Sequence, residues 1–370
     1  MKILFTRFPL ESTYGGAEVQ TLSLMKGLRE RGHAVAFAGS CPTLLRLCRA
    51  ENFPVVELAI GAPPVSKSTV IRFFWRKQKM QRLLEVLLQQ FSDLDALCML
   101  SLSEKILLTP IAVRKGIKTF WIEHDRVSNW LTKNPWLQNL LRLSNAVTTI
   151  VVSELSRKIY LDLGWNAARI IAIPNGIKDA LTSPSPSPAD GRGEHIGCIA
   201  RLTKDKGVDV LIQAIADLPE ISLTIVGKGR EEGFIRNLIA EITVREHLAE
   251  PRIRLIPTLP DLHPFYASMD VLVLPSREHD PFGLVAAEAM SKGIPTIVTD
   301  ACGIASYLEN GKEAIIVKAD DVRALQGAIE TLRDPVKRQE IATFGKRAAE
   351  AKFSLEKMIQ SYETIFQESR

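Results

Sequence analysis

Cysteine is scarce in this sequence, and long apolar runs are missing. The cysteines are odd in number and form no Cys-x-x-Cys pair; they are Cys41, Cys48, Cys98, Cys198 and Cys302. This pattern argues against a disulfide framework or a cysteine-based metal site and predicts reduced thiols in a cytoplasmic protein. Because no run of 18 or more apolar residues occurs, no membrane-spanning helix is expected. Residues 1–5 are predicted to lead directly into a strand, and they lack the pattern of a signal peptide.

Acidic residues are outnumbered in the first half of the chain and predominate in the second. Residues 1–180 hold 24 Lys/Arg and 14 Asp/Glu, a balance of +10, whereas residues 181–370 hold the remaining 23 and 28, a balance of −5. No recognised nucleic-acid-binding motif accompanies the basic half, so no nucleic-acid partner is expected. An anionic membrane surface or an acidic acceptor fits the basic half better.

The length and composition suit two globular domains. Of the 370 residues, 46% are hydrophobic and 24% are charged, which is ordinary for a soluble globular protein. A Ser-Pro-rich stretch at residues 183–193 reads as an exposed linker near the midpoint. We therefore predict a first domain over residues 1–180, a linker over 181–194 and a second domain over 195–350.

Both halves show strands that alternate with amphipathic helices, which predicts an α/β protein with parallel sheets and two Rossmann-like halves. In the first half we expect strands at 2–6 and 34–39 and a helix at 17–31. In the second half we expect a helix at 207–217 and strands at 195–200, 221–226, 252–256, 271–274, 294–298 and 314–317. Ligands of such sheets bind beyond the carboxyl ends of the strands.

The segment Asp280–Gly293 carries the most informative pattern. It follows the apolar run Val271–Leu274, which predicts a buried parallel strand. Asp280 suits the N-cap and Pro281 the first position of a helix. The backbone N–H groups left free to bind a phosphate would then be those of Phe282, Gly283 and Leu284.

Glu288 lies within the same predicted helix among small apolar residues. A carboxylate in that setting is costly unless it has a partner, and a ribose or sugar diol would supply two hydroxyl donors. The alternative interpretation of the segment is a capped helix with one tolerated glutamate.

Two further loops after predicted strands carry groups suited to phosphate. Arg201 and Lys206 flank the loop after strand 195–200, where a guanidinium fork and an ammonium could hold phosphate oxygens, although a solvated basic loop is the alternative. Gly227 opens a Gly-x-Gly turn after strand 221–226, for which a plain strand-to-helix turn is the alternative. By itself this turn is a weak signal, because its third glycine comes one residue too late for a dinucleotide fingerprint.

The first half offers two candidate features of its own. Gly15 and Gly16 follow the first strand and open a helix, which lets a ligand approach the backbone, although a tight turn explains them equally. His124 follows the run Thr119–Ile122 and could hydrogen-bond a sugar hydroxyl or orient reacting groups, although most such histidines are structural.

In their order along the chain, these motifs resemble those of the family 4 glycosyltransferases, which are retaining, nucleotide-sugar-dependent enzymes with the GT-B fold. The matching features are the Gly-Gly loop, His124, the turn Pro174–Gly176, the Arg201/Lys206 pair, the Gly-x-Gly loop and the acidic-x7-Glu segment that ends at Glu288. The resemblance implies two Rossmann-like domains facing each other across a cleft. It also implies a last helix, residues 351–370, that crosses back to the first domain.

The resemblance further implies the chemistry and the roles of the residues. A sugar would move from a nucleoside diphosphate-sugar, a UDP-sugar or GDP-sugar, to a glycan or lipid-linked acceptor. The anomeric configuration would be retained, and no metal or other cofactor would be needed. His124 and Asp280 would be catalytic. The donor would be bound by Gly15, Gly16, Arg201, Lys206, Gly227, Phe282, Gly283, Leu284 and Glu288.

The family pattern begins with Glu where this chain has Asp280, which is shorter by one methylene. Asp280 would therefore either contact the donor sugar or act mainly as a helix cap. Two other classes remain open: a GT-B epimerase or phosphorylase, and a non-catalytic protein that binds nucleotide-sugar.

Residues 67–91 predict a basic helix, within which Phe73, Phe74 and Trp75 adjoin Arg72 and Arg76. The surplus aromatic residues and the basic stripe favour peripheral contact with anionic membrane lipids through residues 67–82, on the inner face of the membrane. A solvated charged face over a buried stripe is the alternative.

Overall fold

The computed structural model describes residues 1–9, 15–91, 93–178 and 194–368, without the side chain of Asn129. The chain divides into two compact units, one formed by residues 1–176 with 355–370 and the other by residues 177–354. The predicted linker over residues 181–194 lies outside the described residues except for Glu194, and residues 10–14 before the Gly-Gly pair also lie outside them.

The first unit is built on a seven-stranded parallel sheet in the order β3-β2-β1-β4-β5-β6-β7. Its strands are β1 (Lys2–Arg7), β2 (Ala34–Gly39), β3 (Val55–Glu57), β4 (Ala96–Met99), β5 (Lys118–Glu123), β6 (Thr148–Val151) and β7 (Ile170–Ala172). The strand order reverses between β1 and β4, which places the topological switch point at the carboxyl ends of these two strands.

Helices cover both faces of this sheet. They are α1 (Gly16–Glu30), α2 (Pro42–Ala50), α3 (Lys67–Gln89), α4 (Leu102–Arg114), α5 (Asn129–Thr132), α6 (Leu137–Ser144), α7 (Glu154–Asp162) and the C-terminal α14 (Leu355–Glu368), with a 3₁₀ turn at Ala167–Arg169. Alternation along β1 sends Leu4 into one core cluster and Ile3 and Phe5 into another. Each face of the sheet is therefore buried, as parallel sheets require.

The C-terminal helix α14 completes the second of these clusters with Met358, Ile359, Tyr362 and Phe366. It packs against α1 at Gly27, where an added β-carbon would lie 2.0 Å from the Ile359 side chain. The absence of a side chain at Gly27 is what allows the two helices to approach so closely.

The second unit contains a six-stranded parallel sheet in the order β10-β9-β8-β11-β12-β13. Its strands are β8 (His195–Ile199), β9 (Ser222–Val226), β10 (Ile253–Ile256), β11 (Val271–Leu274), β12 (Thr296–Thr299) and β13 (Ile315–Val317). Its helices are α8 (Val208–Ala216), α9 (Glu232–Arg245), α10 (His263–Ser268), α11 (Leu284–Ser291), α12 (Val322–Thr331) and α13 (Pro335–Lys352), with 3₁₀ turns at Lys204–Lys206 and Gly303–Tyr307. The predicted α/β class with two Rossmann-like sheets is confirmed.

Among the described residues, no helix combines the length and apolarity needed to cross a membrane. All five cysteines fall within the described residues and are buried, and none of them is joined in a disulfide.

Candidate functional site

Two loops that carry predicted site residues lie at the topological switch point of the second sheet. Strands β8 and β11 are adjacent and parallel, and the strand order runs outward from them in opposite directions. Arg201 and Lys206 follow β8 and Asp280 follows β11, and the sheet brings Lys206 and Asp280 together although they are 74 positions apart in sequence. In open α/β sheets this point is the usual place for a bound ligand.

Lys206 and Asp280 form a buried ion pair at this point. Lys206 Nζ donates to Asp280 Oδ2 at 2.6 Å, and the two side chains are only 13% and 12% exposed. The Ser276 hydroxyl donates to the same oxygen at 3.2 Å. Burial raises the pKa of Asp280, but the Lys206 charge and the hydrogen bonds outweigh burial, so the pKa lies below its usual value. The carboxylate is therefore ionised at neutral pH.

The prediction that Asp280 caps a helix beginning at Pro281 is wrong. The helix α11 begins at Leu284, and its N-cap is Gly283, whose φ of +99° lies in the left-handed region. Asp280 instead has extended backbone bonded to the loop after β12, with its N–H donating to Ala301 and its carbonyl accepting from Gly303. This pairing holds residues 280–282 out of the helix, and glycine is needed where the chain turns into α11.

The N-terminus of α11 retains donors for an anion, although fewer than predicted. The Phe282 N–H points to Asp280 Oδ1 at 3.4 Å, and the Phe282 ring is buried against Phe353 at a centroid distance of 5.4 Å. Gly283 and Leu284 lie at the start of the helix, where the first N–H groups have no acceptor within the helix. The dipole of α11 adds partial positive charge at this end.

Glu288 lies one turn further along α11 and has a partner that the sequence did not reveal. The Tyr266 hydroxyl, on α10, donates to Glu288 Oε2 at 2.7 Å. Burial raises the pKa of Glu288, and the hydrogen bond from Tyr266 and the charge of Lys292 partly offset this rise. The Lys292 ammonium lies 5.5 Å from the centre of the Tyr266 ring. The Glu288 residue is half-buried, and among the described residues the hydrogen bond from Tyr266 goes to Oε2, which leaves Oε1 to accept from another donor.

Arg201 and Lys206 differ in their surroundings. Arg201 is exposed and lies two residues after the end of β8, whereas the Lys206 side chain is 13% exposed and engaged with Asp280. Gly207 follows with a φ of +62°, and an added β-carbon there would lie 2.2 Å from the Pro275 carbonyl oxygen. Glycine is therefore required for this loop to lie against the end of β11.

Arg277, which sequence reasoning missed, holds the same loop from the other side. Its Nη1 donates to the Lys204 carbonyl at 2.8 Å, and its Nη2 pairs with Asp209 at 2.7 Å. Its Nε pairs with Asp320 at 2.6 Å. The Asp205 carbonyl accepts from the Arg277 N–H at 2.8 Å, so that Arg277 fixes the segment that ends in Lys206. An arginine three residues before Asp280 has no sequence signal for this role, because its partners are distant in sequence.

Gly227 packs against the backbone of the loop that carries Arg201. An added β-carbon at Gly227 would lie 1.9 Å from the Ala200 carbonyl oxygen, and one at Gly229 would lie 2.1 Å from that of Leu202. The Leu202 N–H donates to the Lys228 carbonyl at 2.8 Å. These contacts explain both glycines and place Gly227 beside the base of the Arg201 loop.

Gly15, Gly16 and His124 belong to the first unit. Gly15 is the N-cap of α1 with extended backbone, and Gly16 is the first helical residue. Two residues later, Glu18 pairs with Arg7 at 2.8 Å, and the two side chains are 5% and 7% exposed. This buried ion pair ties the start of α1 to the end of β1.

His124 follows the last residue of β5. Burial, together with the nearby Arg7 charge, lowers its pKa to about 4, and the charge of Asp125 opposes this only in part. Its Nδ1 is buried and has no hydrogen-bond partner among the described residues. The ring is therefore neutral at physiological pH, and one ring nitrogen is available to a further group.

The carboxylate before His124 is committed elsewhere. Glu123 pairs with Lys105 at 2.8 Å, with both side chains at most 7% exposed. Across the described parts of the chain, no three His, Cys, Asp or Glu side chains come close enough together to hold a metal ion. The Glu123–Asp125 segment thus does not assemble the metal-like cluster that its residue types suggest.

Two family models match consecutive parts of the chain. The model described as Glycosyltransferase Family 4 matches residues 14–181, and the model described as Glycosyl transferases group 1 matches residues 182–348. Their boundary at residues 181/182 falls within the predicted linker.

Curated relatives include three bacterial proteins. An exopolysaccharide phosphotransferase of Streptomyces coelicolor is 29% identical over 62% of this chain, and the lipopolysaccharide core biosynthesis glycosyltransferase LpsE of Rhizobium meliloti is 27% identical over 54%. The lipopolysaccharide core biosynthesis glycosyltransferase LpsD of Rhizobium meliloti is 26% identical over 99%. The chain spans 24% of the first of these proteins, 58% of the second and 98% of the third.

A similar solved structure is that of Anabaena Alr3699/HepE in complex with UDP and glucose, with a TM-score of 0.79, 21% identity and full coverage of both chains. At this identity the likeness concerns the fold, and it agrees with the two parallel sheets described above. Since the two family matches together run from residue 14 to residue 348, the chain belongs to the glycosyltransferases with the GT-B fold.

Proposed function

We propose that this protein transfers a sugar from a nucleoside diphosphate-sugar to a glycan or lipid-linked acceptor of the cell envelope, with retention of anomeric configuration. The observation that carries the proposal is the Lys206–Asp280 pair beside the N-terminus of α11, at the switch point of the second sheet. Support for the donor class comes from HepE, whose structure contains UDP and glucose. Support for an envelope glycan comes from LpsE and LpsD, which are named for lipopolysaccharide core biosynthesis.

In this proposal the second unit binds the donor and stabilises its leaving group. As the bond between sugar and diphosphate breaks, negative charge grows on the diphosphate oxygens. Arg201, Lys206 and the N-terminus of α11 with Gly283 and Leu284 would neutralise that charge. Arg201 is exposed and would move onto the phosphates, whereas Lys206 is already held in place. With these cations the step proceeds without a metal or other cofactor.

Glu288 would bind the ribose of the donor. Its open oxygen, Oε1, accepts one ribose hydroxyl, and Oε2 is shared with Tyr266. Such hydrogen bonds to an ionised acceptor are stronger than those between neutral groups. Gly227 would border the nucleotide, because it supports the loop that carries Arg201.

Asp280 would act on the donor through two routes. Its carboxylate holds the Lys206 ammonium, and it lies after β11 where the related pattern has the longer glutamate. The Asp280 side chain is shorter than that of glutamate by one methylene, and it reaches Lys206 and Ser276 from an extended backbone. We propose that Asp280 fixes Lys206 for the diphosphate and offers its remaining acceptor capacity to a hydroxyl of the donor sugar.

The first unit would bind the acceptor, with His124 beside the reacting hydroxyl. A neutral imidazole can donate one hydrogen bond and accept another, and His124 has a pKa of about 4 and a buried Nδ1 without a partner among the described residues. Gly15 and Gly16 open α1, which follows β1 of the sheet that also contains β5 before His124. They would let the diphosphate or acceptor approach the backbone.

The test is to measure both donor binding and turnover. Purified protein is mixed with UDP-glucose, UDP-galactose, UDP-N-acetylglucosamine or GDP-mannose, and ligand-induced stabilisation is followed by calorimetry together with release of UDP or GDP. We expect stabilisation by one nucleotide series and slow release of its diphosphate. Glu288→Gln should abolish the stabilisation, whereas Glu241→Gln, at an exposed position on α9, should leave it unchanged.

The outcomes separate the remaining classes. Stabilisation without any release of nucleotide, even with acceptor extracts present, would indicate a binding protein. Conversion of the donor sugar without loss of the nucleotide would indicate an epimerase. No stabilisation by any donor would refute the site built from Arg201, Lys206 and Glu288.

We also propose that α3 brings the protein to anionic lipids on the cytoplasmic face of a membrane. This helix contains six Lys/Arg and one acidic residue, Glu85. One face is buried through Phe73, Met80 and Leu84, while Phe74 is 69% and Trp75 80% exposed. At 100° per residue these two aromatic residues lie on the same outer half of the helix as Ile71, Lys79 and Arg82, so apolar and basic groups face outward together.

This arrangement suits a lipid surface, because headgroup phosphates attract the basic residues while the aromatic rings enter the interface. Cosedimentation should show binding to vesicles of mixed phosphatidylcholine and phosphatidylglycerol and little binding to phosphatidylcholine alone. Phe74→Ser with Trp75→Ser should weaken it, whereas Phe234→Ser, which removes an exposed ring from α9, should not. Binding that is indifferent to the anionic lipid would contradict this proposal.

A further inference from the structure

A cavity of about 320 Å³ lies in the first unit, at the carboxyl ends of three neighbouring strands. Arg7 ends β1, Leu100 follows β4 and Glu123 ends β5, and all three line it. The cavity therefore lies at the switch point of this sheet, as the Lys206–Asp280 site does in the other. Its volume is at the lower end of the range for small-molecule sites.

Aromatic side chains form much of its wall. Trp121, Trp130, Trp165 and Tyr160 line it, so three of the five tryptophans of the chain meet at one cavity. Tyr160 and Trp165 are in edge-to-face contact, with their centroids 4.9 Å apart and their planes at 86°. Trp130 is the most exposed of the three indoles and is anchored by its Nε1, which donates to the Arg126 carbonyl at 2.8 Å. Flat apolar faces of this kind suit a ligand that is apolar on one face.

Charged groups of both signs complete the wall of the cavity, and their charges offset one another. Lys105 pairs with Glu123, and Arg7 pairs with Glu18, at 2.8 Å in each case. Asp125 is exposed at the same cavity. The paired ammonium and carboxylate keep further donor and acceptor capacity, because each uses only part of it in the ion pair. The wall can therefore both donate to a ligand and accept from it.

Some of the donors at this cavity also have no partner. Trp165 Nε1 and the Arg7 Nε and Nη1 are buried and make no hydrogen bond within the described parts of the chain. Buried polar atoms in folded proteins are nearly always paired, so a buried donor without a protein acceptor is suited to a bound water or ligand. Both residues line the cavity.

We infer that this cavity binds one neutral pyranose ring of the acceptor, stacked on the indoles and hydrogen-bonded through its hydroxyls. A pyranose has one face rich in C–H groups and an edge of hydroxyls that donate and accept, which matches the two kinds of wall. The inference rests on the proposed transferase function and specifies the part of the acceptor that the first unit recognises. It makes Trp130 a determinant of acceptor binding that has no part in donor binding.

Charge and burial argue against two other occupants. A lipid chain would bury the Lys105–Glu123 pair and the Arg7 guanidinium against hydrocarbon, which is costly for charged groups. A phosphate or carboxylate would meet Glu123 and Asp125, which offset the two cations. A neutral polyhydroxylated ring avoids both penalties.

The inference can be tested by saturation-transfer NMR, which detects weak ligands. The wild-type protein is examined with the methyl α-glycosides of glucose, galactose, mannose and N-acetylglucosamine, and separately with octyl phosphate. Trp130→Leu removes the accessible indole, and Trp75→Leu is the matched control, because Trp75 is 80% exposed on α3 and does not line the cavity. Binding of UDP and GDP is measured on the same samples.

We expect transfer to at least one glycoside, strongest at the protons of its C–H face. Trp130→Leu should weaken the binding by about tenfold or more, as truncation of a stacking tryptophan does elsewhere. Trp75→Leu should not change it, and Trp130→Phe should restore part of it if the leucine variant folds poorly. Nucleotide binding should be the same in all variants.

Each other outcome overturns the inference. Transfer to none of the glycosides, or equal transfer with Trp130→Leu, excludes a sugar in this cavity. Saturable binding of octyl phosphate alone would assign it to a lipid. If a nucleotide binds while no glycoside does, the inference fails and the proposed function stands. If a glycoside binds while no nucleotide does, the cavity holds a sugar and the proposed donor site fails.

Discussion

Lys206 and Asp280 are 74 residues apart in sequence, and Lys206 Nζ lies 2.6 Å from Asp280 Oδ2, within a pair that is largely shielded from water. The contact exists because β8 and β11 are neighbours in the sheet, with one residue of the pair in the loop after each strand. Breaking one half of such a pair leaves a buried charge without compensation.

Asp280→Ala should therefore lower both stability and turnover. We expect about 3 kcal/mol of destabilisation from the unpaired Lys206 ammonium. We also expect about a hundredfold loss in kcat, because Lys206 would no longer be held toward the diphosphate. Ser276→Ala is the comparison, since it removes one hydrogen bond to Asp280 and leaves the ion pair intact. A variant with normal turnover and lower thermal stability would contradict the proposed role of Asp280 in catalysis.

Tyr266→Phe should make donor binding sensitive to mild acid. Burial raises the pKa of Glu288, and the Tyr266 hydroxyl counteracts this by donating to the ionised form. Without that donor the pKa should rise further, so protonation would remove the ribose acceptor at a higher pH than in the wild type. Titration calorimetry with UDP and GDP from neutral to mildly acidic pH should show the earlier loss.

The control for that measurement is Tyr362→Phe, which alters a buried tyrosine on α14 in the core of the first unit. It should leave the pH profile of nucleotide binding unchanged. Identical profiles for the wild type and Tyr266→Phe would show that Glu288 does not depend on Tyr266.

Gly207→Ala should disturb the donor site through the backbone. The added methyl would lie 2.2 Å from the Pro275 carbonyl oxygen, and φ at this position is +62°. We expect a loss of about 2 kcal/mol or more in unfolding free energy, together with weaker nucleotide binding because Lys206 precedes Gly207. Gly233→Ala on α9 should instead stabilise by up to about 1 kcal/mol, since a side chain there enters open space in a helix.

Glu104→Gln should change how the stability of the first unit depends on pH. Burial raises the Glu104 pKa from 4.5 to about 8, despite the opposing backbone hydrogen bonds and nearby positive charges. The folded state therefore holds this proton more tightly than the unfolded state. The resulting stability is present in full below pH 4.5 and is lost as pH rises toward 8, at about 1.4 kcal/mol per pH unit.

The glutamine variant should lack that decline. Unfolding can be followed by tryptophan fluorescence, because all five tryptophans, Trp75, Trp121, Trp130, Trp136 and Trp165, belong to the first unit. Glu30→Gln, at an exposed position on α1, should keep the wild-type slope. Equal slopes for Glu104→Gln and the wild type would mean that Glu104 is ionised in the folded protein at neutral pH.

His124 should remain neutral throughout the physiological range. Its pKa is lowered from 6.5 to about 4, mainly by burial and also by Arg7. The unfolded state therefore binds the proton first, and stability is lost as pH falls from 6.5 toward 4. NMR of the His124 imidazole protons should show no titration near pH 6.5, and a midpoint there would contradict the lowered pKa.

The sequence alone determined the class of fold and where the ligand-binding loops begin. Apolar runs of strand length separated by amphipathic helices predict parallel sheets, and the run Val271–Leu274 became β11 with the same bounds. The short-range patterns of glycine and charge then marked the loops after those strands. Local sequence suffices for these features because propensity and periodicity are properties of neighbouring residues.

Only the tertiary structure decided what the marked residues contact. The pattern Asp280-Pro281 reads locally as a helix start, yet the pairing of Asp280 with the loop after β12 overrode it and moved the start of α11 to Leu284. The partners Tyr266 for Glu288, Arg277 for the Lys206 loop and Glu18 for Arg7 are likewise set by strand order and helix packing. Side chains distant in sequence meet only after the sheet has formed, so no local pattern encodes which of them will share a hydrogen bond or a charge.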